Sequence, residues 1–126
     1  MRVLALGLRF FLELFVLAAV GTFVWGSLDG TIAWIGAIGA PLLMAVVWGT
    51  FAVPRDPSRS DGAPVAVSGL VRIVIEVVFF GAGVFALAAL ANVYTAIAIA
   101  LTIVVQYAML GDRFRWLLDQ PSPRRR

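Results

Sequence analysis

Cysteine, histidine and lysine are all absent from the 126 residues. Without cysteine there is no disulfide, thiolate nucleophile or iron–sulfur ligation, and the thiols carry no trace of a redox compartment. Without histidine the usual zinc and haem ligands and the imidazole acid–base group are missing. Without lysine there is no amine for the Schiff bases of pyridoxal and retinal proteins. No cofactor, metal or catalytic residue is therefore expected, and the chain reads as a non-enzyme. Charge is scarce too: 13% of residues are charged and 62% are hydrophobic, a balance too apolar for a soluble domain of this length. The net charge of +3 comes from arginine alone. Those arginines border apolar runs rather than forming one patch, so no nucleic-acid partner is read from them.

What the chain does have is four long apolar runs, at residues 3–25, 32–53, 65–91 and 94–110. A helix crosses hydrocarbon in roughly 20 residues at about 1.5 Å each, so every run is long enough, the last only just. The expected fold is all-α, an integral membrane four-helix bundle with no room for a separate soluble domain. Hairpin one covers residues 3–53, a linker 54–64, hairpin two 65–110 and an interfacial tail 111–126. The first run resembles a secretory signal peptide, but Arg9 and Glu13 interrupt it and it is longer than a signal's apolar core. It is read as a mature helix.

Arginine also sets the expected orientation. The loop GSLDGT and the turn around Asn92 contain none, whereas Arg2, Arg55, Arg59, Arg113, Arg115 and the run Arg124, Arg125, Arg126 fall on the other side. By the positive-inside rule this is a multi-pass protein of the bacterial cytoplasmic (inner) membrane with both termini cytoplasmic. A reporter fused at Arg126 is expected to report from the cytoplasm. The terminal arginines read as a solvated tail beside anionic headgroups. The stretch DRFRWLLDQ alternates arginine with Phe114, Trp116, Leu117 and Leu118, which suits a helical turn at headgroup depth. Trp25 and Trp34 on one side, with Trp48 and Trp116 on the other, resemble aromatic belts.

The polar residues inside the spans carry the functional question. LRFFLEL at 8–14 places Arg9 four residues before Glu13, and VRIVIEV at 71–77 repeats the pattern with Arg72 and Glu76, an offset of 63. The chain thus reads as two duplicated transmembrane hairpins related as a parallel repeat, with both motifs at similar depth. Each charge near a helix centre costs roughly 2.5–3.5 kcal/mol to insert, so four unrelieved charges would cost on the order of 10–14 kcal/mol. Arginine stems reach an interface by snorkelling; a glutamate at mid-span does not. Spacing of four puts Arg and Glu on one face, but Glu before Arg is the better order for the helix dipole, so local stabilisation is not the whole reason. The expected arrangement is a buried square with crossed pairs, Arg9 to Glu76 and Arg72 to Glu13. On that reading Arg9 charge reversal destroys the fold, and the Arg9→Glu, Glu76→Arg double swap partly restores it.

Three roles are open to the cluster: locking helix packing, holding a cation or relaying protons through the carboxylates, or recognising a headgroup or small anion through the arginines. Trp48, Thr50, Gln106 and Tyr107 are secondary candidates, each with an ordinary reading: Thr bonding its own helix, Tyr and Trp marking an interface, Gln bridging helices. Gly36 with Ala40, and Ala82 with Ala86, suit close helix approach.

With the repeated Arg-to-Glu motif, the segment WGTFAVPR at 48–55 and four short helices, residues 8–118 resemble the YrdB-like family of small bacterial membrane proteins. The resemblance implies a four-helix inner-membrane protein of unknown function and brings no substrate or active site with it. The leading expectation is a structural or accessory subunit whose partners are the bilayer and a second copy or another membrane protein. The alternative is a small-solute, ion or proton pathway using the embedded glutamates as an oligomer.

Overall fold

The computed structural model describes residues 2–57 and 63–121. Arg59, Asp61 and the terminal arginine run lie outside the described residues. The elements are α1 (Arg2–Ser27), α2 (Gly30–Thr50), β1 (Phe51–Ala52), β2 (Val65–Ala66), α3 (Gly69–Leu90), α4 (Val93–Met109) and α5 (Gly111–Leu118). Helices α1, α2 and α3 are each long and apolar enough to cross a membrane, and α4 with α5 makes a fourth if the bent pair counts as one span. The described chain is therefore all-helical apart from one short strand pair, with the lengths and hydropathy of a membrane protein.

Periodicity sets which faces meet. On α1 the buried residues Ala5, Arg9, Leu12, Val16 and Ala19 follow a three-four spacing that keeps one stripe turned inward, and Gly21 is buried against α2. On α3 the inward stripe runs through Gly69, Arg72, Glu76, Phe79, Phe80, Gly83, Ala86 and Leu87, and on α4 through Ala96, Ile103 and Gln106. Leu12, Val16, Phe79, Phe80 and Ile103 form one apolar layer, and Ala19, Ala86, Leu87 and Ala96 a second. At Gly83 a β-carbon would collide with the Val16 side chain at 2.5 Å, so the absence of a side chain there sets how closely α1 and α3 approach.

Helix α2 packs mainly on α1 and lies otherwise exposed; Ala33 is its one buried residue. Pro41 inside α2 has no N–H for the carbonyl of Ala37. That carbonyl meets Gly21 of α1, where a β-carbon would stand only 2.9 Å from the oxygen. Gly21 thus admits a backbone-to-backbone approach of the kind that supports a Cα–H···O contact. Between α2 and α3 lies a groove of about 350 Å³ lined by apolar side chains, with Trp48 and Phe79 among them.

Two boundaries differ from the sequence reading. Helix α2 stops at Thr50 rather than 53, and α3 starts at Gly69 rather than 65, because residues on both sides of the linker pair as parallel strands, Phe51 with Val65 and Ala52 with Ala66. Val53 precedes Pro54, a position that disfavours helix. The Ser68 side chain then caps α3 by accepting from the Val71 N–H at 3.3 Å. At the other end α4 stops at Met109, and α5 turns away from it by 75°.

Candidate functional site

The inward stripes converge near one end of the molecule, and there polar side chains replace apolar ones. Glu76 is the centre. It is 1% exposed, and its carboxylate accepts from five donors. Oε1 takes Arg9 Nη2 at 2.5 Å, Arg113 Nη2 at 2.6 Å and Arg72 Nε at 3.3 Å. Oε2 takes the Tyr107 hydroxyl at 2.6 Å and Arg113 Nη1 at 3.2 Å. A carboxylate has about four lone-pair sites, so this one is saturated.

Arg113 is a double fork. Its Nε and Nη2 donate to Asp56 Oδ1 and Oδ2 at 2.8 and 2.7 Å, while Nη1 and Nη2 grip Glu76. Only a guanidinium presents planar donor pairs on two edges at once. Through it the linker (Asp56), α3 (Glu76) and α5 are tied together. The inward face of α5 consists of Arg113 and Leu117, spaced by four. The approach of α5 needs Gly69, since a β-carbon there would overlap the Leu117 carbonyl, and the Gly69 N–H donates to the Gln120 carbonyl at 3.1 Å.

Arg72 has a second role. Its Nη1 donates to the carbonyls of Trp48 and Phe51, both at 2.7 Å. The last carbonyls of a helix have no intrahelical donor, and a cation at this end also suits the helix dipole. The Trp48 ring lies under the same guanidinium at 4.2 Å and stacks on Phe79 at 4.2 Å. Arg9 is enclosed by Trp48, Tyr107 and Phe80 at 5.2, 5.5 and 5.8 Å, and donates to Gln106 Oε1 at 3.4 Å. Aromatic faces thus line the cationic half of the cluster. Trp48 stands between the ions and the α2–α3 groove.

Of the eight residues singled out from the sequence, Arg9, Arg72 and Glu76 are brought together, with Trp48, Gln106 and Tyr107 around them. Thr50, half-buried at the end of α2, makes no hydrogen bond to the cluster among the described residues. Trp48 was grouped with the aromatic belts; it is instead half-buried against Phe79, Phe80 and two guanidiniums. By contrast Trp25 and Trp34 meet edge to face at 4.3 Å at the exposed far end.

The crossed square forms on one diagonal only. Arg9 reaches Glu76, but Arg72 does not pair with Glu13; it takes its own Glu76 and the α2 carbonyls. The cause is rotation about the helix axes. On α1 the inward positions flanking Glu13 are Leu12 and Val16, so Glu13 falls just off the stripe, whereas on α3 Glu76 lies on it. The Glu13 side chain is accordingly 20% exposed, held by Arg9 Nε at 3.3 Å and by the Trp48 indole.

Asp56 and Arg113 were not among the sequence candidates. Asp56 sat in a linker read as solvated and Arg113 in a tail read as interfacial, yet both are buried. The one available signal was the four-residue spacing of Arg113 and Leu117, which sets them apart from Phe114, Arg115 and Leu118 on the opposite face. With them the cluster contains, among the described residues, Arg9, Arg72 and Arg113 against Glu13, Glu76 and Asp56, whose formal charges cancel.

The comparisons with known proteins agree on kinship and are silent on role. The family model described as "Protein of unknown function (DUF2568)" matches residues 7–104. The "Uncharacterized protein YrdB" of Bacillus subtilis (strain 168) is 36% identical over 113 residues, 90% of this chain and 92% of that protein. No solved structure matches the chain.

Proposed function

This chain belongs to the YrdB-like family of proteins of unknown function, and from that premise we propose that it is a non-enzymatic structural or accessory protein of the bacterial inner membrane. Its two hairpins, related as a parallel repeat, form a four-helix membrane bundle that the ion cluster fastens. Both termini face the cytoplasm in this reading, which the positive-inside distribution of arginine supports. The observation that carries this reading is the saturation of Glu76. A carboxylate 1% exposed and already accepting from three arginines and a tyrosine has no lone pair left for a cation. A relay site needs a spare acceptor and a route to water; a fastening site needs neither.

A second reading attaches to Glu13 alone. It is partly exposed and has one arginine, and so resembles a carboxylate able to exchange a proton or cation within an oligomer. Proton or cation flux in proteoliposomes separates the two. The scaffold reading expects no flux from the wild type. Flux that is abolished by Glu13→Gln and retained by the conservative Glu13→Asp would replace it with the second.

A further inference from the structure

Two exposed arginines, Arg55 and Arg115, flank the Asp56–Arg113 clasp, and the first sits in an unusual backbone setting. Residues 53–56 form a reverse turn closed by the Asp56 N–H on the Val53 carbonyl at 3.2 Å, with Pro54 and Arg55 at its centre. Arg55 has φ of +66°. After proline, this is the turn position that glycine or asparagine ordinarily fills, because a β-carbon is disfavoured there. An outlier of this sort points to use of the side chain. Since Arg113 grips the next residue, Asp56, Arg55 is carried at the same end of the molecule as α5.

Helix α5 supplies the rest. Arg113 and Leu117 face inward, while Phe114, Arg115 and Leu118 are exposed. The bend of 75° from α4 lays α5 close to the membrane plane if α4 crosses it. A short helix in that attitude, with Phe114, Arg115 and Leu118 on its outer face, suits the headgroup boundary. Asp112 and Asp119 are also exposed, on α5 and its C-terminal cap, and offset Arg115 and Arg55 in net charge, so attraction to a phosphate here is that of the two individual guanidiniums.

We propose that this face binds anionic phospholipid, with Phe114 and Leu118 entering the acyl boundary and Arg115 and Arg55 taking the lipid phosphate. The inference rests on the membrane reading above. It adds a lipid class and a coupling: the helix that meets the lipid on one face holds Glu76 and Asp56 on the other, so bound lipid tightens the clasp.

The test uses the full chain in neutral detergent. Added phosphatidylglycerol is expected to raise the melting temperature more than phosphatidylcholine does, and inorganic phosphate is expected to have no effect. The Arg55→Gly, Arg115→Gln double variant is expected to lose the preference. Arg55→Gly alone, which relieves the turn, is expected to melt no lower than wild type without lipid, which separates loss of binding from loss of fold. Equal protection by the two lipids, protection by phosphate alone, or full preference in the double variant overturns the proposal while leaving the membrane reading in place. Recovery of the protein in the soluble fraction without detergent overturns both.

Discussion

At the scale of single residues, the two glutamates have the same sequence environment and different physical ones. Removing one partner from a buried, hydrogen-bonded ion pair costs about 3–5 kcal/mol, whereas an exposed pair is worth at most about 1 kcal/mol. Glu76→Gln leaves Arg9, Arg72 and Arg113 facing one another with a neutral acceptor between them, so a loss in the upper part of the first range is expected. Glu13→Gln, at a side chain 20% exposed with a 3.3 Å partner, is expected to lose about 1 kcal/mol. Thermal unfolding in detergent ranks the two; equal losses would contradict the central place of Glu76. The same geometry changes the expected outcome of the double swap. Glu76→Arg places a guanidinium against Arg72 and Arg113 where a carboxylate had accepted from both; Glu13, Asp56 and the new acid at position 9 still balance the formal charge, but the common acceptor is gone, so Arg9→Glu does not rescue it.

At the scale of elements, the spans were legible because hydrophobic length is a local property, and each of the four apolar runs holds one long helix. The motif residues were legible as polar intrusions. What could not be read was rotation. An offset of 63 aligns Arg9 with Arg72 and Glu13 with Glu76, but the inward stripe passes through Arg9, Leu12 and Val16 on one helix and Arg72, Glu76 and Phe79 on the other. Nor did composition reveal that a linker aspartate and a tail arginine would meet across 57 positions, since nothing local marks Asp56 and only the spacing to Leu117 marks Arg113. The strand pair was hidden for a related reason: Val65 and Ala66 extend an apolar run and look continuous with the helix that follows. Close approach of elements also rests on single glycines. Gly69→Ala would drive a methyl into the Leu117 carbonyl, and backbone cannot yield as a side-chain tip does. The expected loss is about 1–3 kcal/mol, together with faster protease cleavage beyond Leu110. Cleavage at the wild-type rate would show that α5 docks without this contact.

At the scale of the whole molecule, two kinds of joint hold the helices. The α1–α2 pair meets through backbone, at Gly21 and the Ala37 carbonyl that Pro41 leaves without a helical donor. The α1–α3–α4 side meets through side-chain layers and the ion cluster. Arg113 belongs to the second kind and comes late in the chain, long after the acids it satisfies. During synthesis the ribosome delivers positions 56 and 76 well before 113, so until the last short helix emerges the nascent protein must shelter two carboxylates lacking their shared guanidinium. The clasp therefore closes only after the acids it joins are already in place. A chain stopped after Leu110 should insert and then be cleared by membrane proteases, and pulse-chase labelling against the full-length protein measures the difference in half-life.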